Sequence, residues 1–425
     1  MCLILLLIVW LDAMIMSEGS YMKKGWVQRE LYLKRIRPFY DSELIKVITG
    51  VRRCGKSILI KQIRQELLET GIEPERITYL NFEDYTLRSL KDPDTLHAHM
   101  VDLLDPKIKH YLLCDEIQNV KDFELVVNSL RSTFDVSIFL TGSNARLLSG
   151  DLASHLGGRT ISLKMMSFSF SEFCTFSELP LEKSSLNEYM KWGGFPLVCS
   201  AHTEEMKYAV LSNLYDSIVL KDIIMQSKVS SPHVLAKVVE YLLSTSSSTV
   251  SGSSITKALK ADHVKISEPT VYDHIRYCED ARIISKVERY DIRGKKILSF
   301  EQKAYAADLG LFQLKKNRVK GEYGALMKTL VFNELVGRGY KVYIGKAQNG
   351  EIDFIAQKGG KKVYIQVAYV LDSPKTIDRE FGAFKDIEDN YPKYVISYDD
   401  LQHSGVDGII HLPLLTFLCD EQAMQ

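Results

Sequence analysis

Hydrophobic and polar positions along the chain change rhythm three times. Between Leu44 and Leu163, short apolar runs alternate with amphipathic ones. Leu44–Thr49, Ile77–Phe82, Tyr111–Cys114, Val136–Thr141 and Thr160–Leu163 read as strands, Ser57–Glu69 and Asp122–Phe134 as helices. Apolar strands separated by helical crossovers predict a doubly wound parallel α/β sheet covered on both faces. From Phe168 to Ser244 the pattern is mostly helical, and the serine-rich stretch Ser244–Ser254 marks a loop or linker. Behind it, Ser254–Lys260 and Ser267–Asp280 read as helices, and Ile283–Tyr290 with Lys296–Phe300 as a hairpin. Ser267 suits a helix N-cap and Pro269 the first turn. The last segment opens with a helix at Ala325–Arg338. Strands follow at Lys341–Gly345, Glu351–Gln357 and Val363–Val370, the last two joined by Lys358-Gly-Gly-Lys361. The expected units are 22–167, 168–252, 253–322 and 323–425, behind an apolar extension, 1–21.

Composition changes this picture little. The 425 residues are 46% hydrophobic and 25% charged, the balance of a soluble globular chain, which excludes a disordered tail, a collagen-like repeat and a multi-span membrane protein. Lys plus Arg equals Asp plus Glu at 54 each, which argues against a dedicated polyanion coat but leaves room for local basic patches. Seven scattered cysteines without a CxxC pair fit neither a disulfide framework nor a zinc site, and point to a reducing cytoplasm. Met1–Trp10, continued through Ile15, is too short for a membrane span and has no basic residues ahead of it. It reads as an over-extended start before Met14, Met16 or Met22, with a weak membrane anchor as the rival. Lys23, Lys24, Arg29, Lys34, Arg35 and Arg37 form a basic stretch that reads as a solvated face, with a track for nucleic acid as the alternative.

Candidate chemistry gathers in the first unit. Gly50-Val51-Arg52-Arg53-Cys54-Gly55-Lys56-Ser57 is G-x-x-x-x-G-K-S between a strand and a helix, the context a phosphate-binding loop requires. The glycines let backbone N–H groups face phosphates, and the helix N-terminus adds partial positive charge. Lys56 can reach the β- and γ-phosphates, and Ser57 can ligate Mg²⁺. Asp115 and Glu116 end the apolar strand Tyr111–Cys114: Asp115 for Mg²⁺, Glu116 for the attacking water, with a helix cap as the bland alternative. Asn144, after Thr141-Gly-Ser143, is a candidate sensor of the γ-phosphate or the lytic water, with Ser143 second, against ordinary turn chemistry. Arg159 is a candidate arginine finger or internal γ-phosphate sensor, against a plain surface arginine.

Together with Arg29–Tyr40, Leu80–Asp84, Phe170–Phe173, Gly193-Gly-Phe-Pro196 and Asp308-Leu-Gly310, these motifs make the chain resemble a prokaryotic family of AAA-type ATP-binding proteins with a C-terminal domain of unknown function. The resemblance runs from about Met22 to His411. It implies an AAA-type nucleotide domain at 22–167, a helical lid at 168–252, a winged helix at 253–322, ATP as the nucleotide and a start at Met22. The final unit resembles restriction-endonuclease-like domains, where an Asp on one strand and Glu-x-Lys on the next gather around a metal. Asp353 matches the first acid, but Gln366 and Ala368 stand where Glu and Lys belong, and Lys328-Thr329 where relatives carry Glu-Asn. Ala cannot activate water and an amide is a weak ligand, so a degenerate module is expected. A basic wing tip (Arg289, Arg293, Lys295, Lys296) suits phosphates. The preceding helix, with Glu268, Asp273, Glu279 and Asp280 against Arg276 and His274, does not suit base readout. The expectation is a cytoplasmic Mg²⁺-ATP-binding ATPase, with a DNA or protein partner and a homo-oligomer as further expectations. The rivals are a nucleotide-switched regulator with little turnover and, less favoured, an ATP-gated nuclease.

Overall fold

Five apolar runs become one parallel sheet in the computed structural model, which describes residues 26–143, 158–225, 229, 231–315, 323–348, 350–399 and 408–424. After α1 (Glu30–Ile36), its strands are β1 (Ile45–Gly50), β2 (Ile77–Asn81), β3 (His110–Asp115), β4 (Val136–Gly142) and β5 (Thr160–Met165), in the order β2-β3-β4-β1-β5. β1, β3 and β4 are buried along their whole length, which explains their unbroken apolar sequences. α1 and α2 (Lys56–Glu69) pack on one face through Leu33, Leu59 and Ile63. α3 (Pro93–Leu103) and α4 (Phe123–Thr133) cover the other through Leu96, Met100 and Val127. The sequence pattern does not reveal α3, because only Leu96 and Met100 are buried; an Asp92 N-cap and Pro93 in the first turn define its start. The apolar extension 1–21 and Asn144 lie outside the described residues.

A helical region follows. It holds α5 (Phe170–Ser177), α6 (Lys183–Trp192), the short α7 (Pro196–Cys199), α8 (Glu204–Ser217), a π-helical stretch at Ile218–Met225 and α9 (Pro232–Ser244). Then come α10 (Gly252–Ala261), α11 (Glu268–Asp280), β6 (Ile284–Asp291), β7 (Lys296–Ala306) and α12 (Leu309–Lys315). As the sequence predicts, Ser267 caps α11 and Pro269 lies in its first turn. The chain ends with α13 (Tyr323–Gly337), β8 (Lys341–Ala347), β9 (Gly350–Lys358), β10 (Lys361–Ala368), α14 (Pro374–Gly382), β11 (Lys393–Ser397), β12 (Ile410–Pro413) and α15 (Leu414–Cys419).

The second sheet has the order β12-β11-β10-β9-β8-β6-β7. β6 pairs with β8 in parallel, Arg289 opposite Ile344, so the hairpin and the C-terminal strands share one sheet. An isolated two-stranded hairpin is marginal in water, and this pairing gives it a third strand. The serine-rich stretch is no free linker. Ser246 is buried, hydrogen-bonds Thr329 Oγ1 at 2.9 Å and accepts the Ala306 N–H at 3.0 Å; Ser247 and Val250 donate to Ala304 O and Gln302 O at 2.7 and 2.8 Å.

Asp308 locks the helical region to α12. Its Oδ2 accepts the Ser167 hydroxyl at 2.5 Å and the Gly194 N–H at 2.9 Å, and its Oδ1 accepts the Gly310 N–H at 2.7 Å. A Cβ on Gly193 would lie 1.9 Å from Asp308 Oδ1, and one on Gly310 2.4 Å from Trp192 O. The Gly-Gly-Phe-Pro and Asp-Leu-Gly motifs are therefore two halves of one packed joint. Asp308→Ala strands three buried donors, and a loss of about 3–5 kcal/mol is expected. Urea unfolding followed by circular dichroism measures it; a change under about 1 kcal/mol would contradict the joint.

Candidate functional site

The loop after β1 is shaped by close approach. A Cβ on Gly50 would stand 2.4 Å from Met165 O, so only glycine lets β1 run beside β5 into the turn. Gly55 has φ +108° and forms the N-cap of α2, which begins at Lys56. The loop is held from behind by Arg29, 1% exposed, whose Nη1 donates to Cys54 O at 3.0 Å and whose Nε pairs with Glu172 at 2.8 Å. Its Nη2 reaches Met166 O and Ser167 O. Burial opposes the Arg29 charge, yet Glu172, with Tyr32 and Cys54, keeps it above the usual guanidinium range. Arg29 is thus no part of a solvated face. Arg37 is tied to Glu30 and Glu66, and Arg35 to Gly337 O.

Lys56 is buried, with Nζ 3.3 Å from Gly50 O and 3.5 Å from Glu116 Oε1. Burial lowers its pKa, but Glu116, Cys54, Asp115 and Asp222 outweigh that, so it stays above the ordinary lysine value and charged. Asp115 accepts from Thr141 Oγ1 and, at 3.2 Å, from the Tyr79 hydroxyl; Thr141 Oγ1 in turn accepts the Glu116 N–H at 3.0 Å. Thr141 therefore spaces the two acids from the neighbouring strand. Glu116 adopts φ 53°, ψ 47°, a left-handed conformation uncommon for a side chain of this size and frequent at working sites. Its Oε2 accepts from Gln118 Nε2.

A cavity of about 350 Å³ opens over this group. Its lining combines the polar Lys56, Ser57 and Glu116, with Gly55, and the apolar Trp26, Phe176, Pro196 and Leu197. Arg52, Arg53 and Arg29 also border it, while Val51 and Cys54 are buried beneath. Thr49 Oγ1, Ser143 Oγ and Gln118 Oε1 are buried without a hydrogen-bond partner among the described residues. Stranded polar atoms at strand ends beside a lysine and two acids are what a polar ligand satisfies. The donor set suits a phosphate-bound divalent ion: Ser57 and Asp115 supply hard oxygens, and both Asp115 oxygens keep a lone pair after their hydrogen bonds.

Arg159 is placed differently. β5 runs parallel to β1 with Ile45 opposite Thr160 and Gly50 opposite Met165. Arg159 therefore lies at the N-terminal end of the sheet, exposed, while the loop lies at the C-terminal end. Six residues at ~3.3 Å each put roughly 20 Å between them. An internal γ-phosphate sensor is ruled out by that span, since an arginine side chain covers less than half of it.

The C-terminal acids are neutralised. Asp353 Oδ1 pairs with Lys328 Nζ at 2.5 Å, and Oδ2 accepts the Val367 N–H at 3.0 Å. Glu351 pairs with Lys303 and, at 2.8 Å, with Arg289. Gln366 Oε1 accepts the Asp353 N–H at 3.0 Å. No cluster of three potential metal ligands occurs among the described residues. Arg289 is buried here rather than at the hairpin tip, which leaves Arg293, Lys295 and Lys296 exposed. His274 is also buried, so the outer face of α11 carries Glu268, Tyr272, Asp273 and Arg276, the last two paired. No helix among the described residues is long and apolar enough to cross a membrane.

Fold and site define a P-loop AAA-type nucleotide-binding domain. The model of an AAA domain matches residues 42–174, and that of a domain of unknown function, DUF8612, matches residues 183–318. An uncharacterized protein of Haemophilus influenzae is 38% identical over 393 residues, 91% of this chain and 97% of its own length. One from Methanocaldococcus jannaschii is 30% identical over 390 residues, 87% and 86% of the two chains. The chain belongs to this prokaryotic family of AAA-domain proteins. The Walker-type ATPase of Pyrococcus abyssi, 14% identical, superimposes with a TM-score of 0.50 over 68% of this chain and 95% of that one, a likeness of fold.

Proposed function

We propose that the protein is a Mg²⁺-dependent ATPase whose nucleotide state moves the helical lid, 168–252, and through it the winged-helix and C-terminal units. The observation that carries this reading is the Lys56–Glu116 pair at 3.5 Å beside Ser57 and Asp115, opening on the cavity. Lys56 and the α2 N-terminus bind the phosphates, and Ser57 with Asp115 would hold Mg²⁺, which neutralises phosphate charge when bound. Trp26, Phe176, Pro196 and Leu197 offer an apolar seat for adenine. Glu116 takes the proton of the attacking water once Lys56 has turned to the phosphates. Arg159 acts as a finger in a neighbouring copy, which makes the working form an oligomer. Mg²⁺-dependent phosphate release from ATP by the purified chain tests the reading; tight ATP binding with no release rejects it.

That outcome would favour a nucleotide-switched regulator binding DNA or protein. One observation supports this alternative: both Glu116 oxygens are already engaged, by Lys56 and Gln118. Nuclease activity is disfavoured, because Lys328 supplies the charge that a metal would bring to Asp353. Plasmid and single-stranded DNA are expected to survive Mg²⁺ or Mn²⁺, with or without ATP, on agarose gels; nicking lost in Asp353→Ala would revive that activity.

A further inference from the structure

The phosphate loop carries two adjacent arginines, and among the described residues only one is tied down. Arg53 is exposed with φ 62°. Arg52 is held on two sides: its Nη1 reaches across to Asp222 Oδ1 in the helical region at 3.0 Å, and its Nη2 donates to Glu83 Oε1 of its own unit at 3.1 Å. Asp222 is 3% exposed and sits in the π-helical stretch Ile218–Met225 that continues α8. π-Helical turns are rare and tend to mark working sites.

The contact is incomplete on both sides. Asp222 Oδ2 and Arg52 Nε are each buried with no hydrogen-bond partner among the described residues. A bidentate arginine–carboxylate pair would satisfy two donors and both oxygens; this one uses a single oxygen. Burial pushes the Asp222 carboxyl up, against the pull of Arg52 and Lys56. Arg52 also borders the nucleotide cavity. A triphosphate brings acceptor oxygens with more charge than one half-used carboxylate, and guanidinium binds phosphate in the same forked geometry.

We propose that Arg52 and Asp222 form a latch between the phosphate loop and the helical region, which a bound triphosphate opens by drawing Arg52 off Asp222. Asp222 is thus a positioning residue: it holds Arg52 back when no γ-phosphate is present, and its release lets the π-helical stretch rearrange. The inference rests on the nucleotide site proposed above and names how that site reports to the helices. It accounts for an acid buried 170 residues away in sequence from the loop arginine it meets.

The test compares ADP with a non-hydrolysable ATP analogue, both with Mg²⁺, by fluorescence titration. Asp222→Asn keeps the shape and removes the charge that competes for Arg52. It is expected to tighten the triphosphate analogue about tenfold and to change ADP less than about twofold. Arg52→Lys, which lacks the fork, is expected to weaken the analogue selectively. Equal shifts for both nucleotides in Asp222→Asn, or none, would overturn the latch. Hydrogen exchange of the wild type gives a reading independent of any variant: the analogue, but not ADP, should speed exchange across residues 218–225 about fivefold or more. Unchanged or slower exchange there overturns the proposal even if Asp222→Asn does not fold. Wild-type protein that binds neither nucleotide would reject the nucleotide site itself, and the latch with it, whereas binding without selectivity rejects the latch alone.

Discussion

Glu116→Gln is expected to lower Mg²⁺-dependent phosphate release by at least about 100-fold while leaving ATP binding within a few-fold of wild type. The amide keeps the length of the carboxylate but cannot accept a proton, and a positioned general base contributes roughly 10²–10⁴ in rate. Position is fixed by three contacts that do not need the charge: the Glu116 N–H on Thr141 Oγ1, the left-handed backbone and the packing of Ile117. Removing the charge also frees Lys56 from its partner at 3.5 Å, so affinity for the triphosphate should hold or rise. A coupled phosphate assay beside an ATP titration separates the two effects. Equal, slow release from wild type and variant would assign Glu116 a structural part only and favour the regulator. Loss of ATP binding in the variant would instead mean that the carboxylate shapes the loop.

Much of this site is legible in the chain because it depends on local order. A loop between a buried strand and a helix announces itself by glycine spacing, and the acids follow from the end of an unbroken apolar run. Contacts made across the fold are not visible that way. Arg29, 143 residues from Glu172, looks like one more basic residue near the start, yet it is buried behind the loop. Asp222 carries no motif of its own, and Thr141 opens one in which the sequence points to Asn144 instead. The second sheet shows the same limit: Arg289 belongs to a hairpin whose tip is basic, but parallel pairing of β6 with β8 sets its side chain against Glu351. Periodicity predicts that a strand exists; it does not say which strand lies beside it. The surroundings of Asp353 are half legible. Gln366 and Ala368 show in the sequence that no second acid or lysine stands on the next strand, while the geometry adds that Lys328 takes up the charge.

The same rule decides Arg159. Sequence places it beside a strand, but parallel pairing puts it at the far end of the sheet from its own phosphate loop. If it serves phosphoryl transfer, it serves a second copy. Arg159→Ala should then lower phosphate release by about 10³-fold, the usual scale for a finger supplied in trans, without altering ATP affinity. Because the side chain is exposed, stability should change by no more than about 0.5 kcal/mol. Wild-type specific activity should rise with protein concentration as copies associate. Mixing is the sharper measurement: Lys56→Ala lacks its own phosphate ligand but keeps Arg159, and Arg159→Ala keeps its own site but lacks the finger. Each alone should be inactive, and a mixture should recover a measurable fraction of wild-type release. Two inactive proteins that stay inactive together, with wild-type activity independent of concentration, would return Arg159 to an ordinary surface residue and leave the chain acting as a monomer.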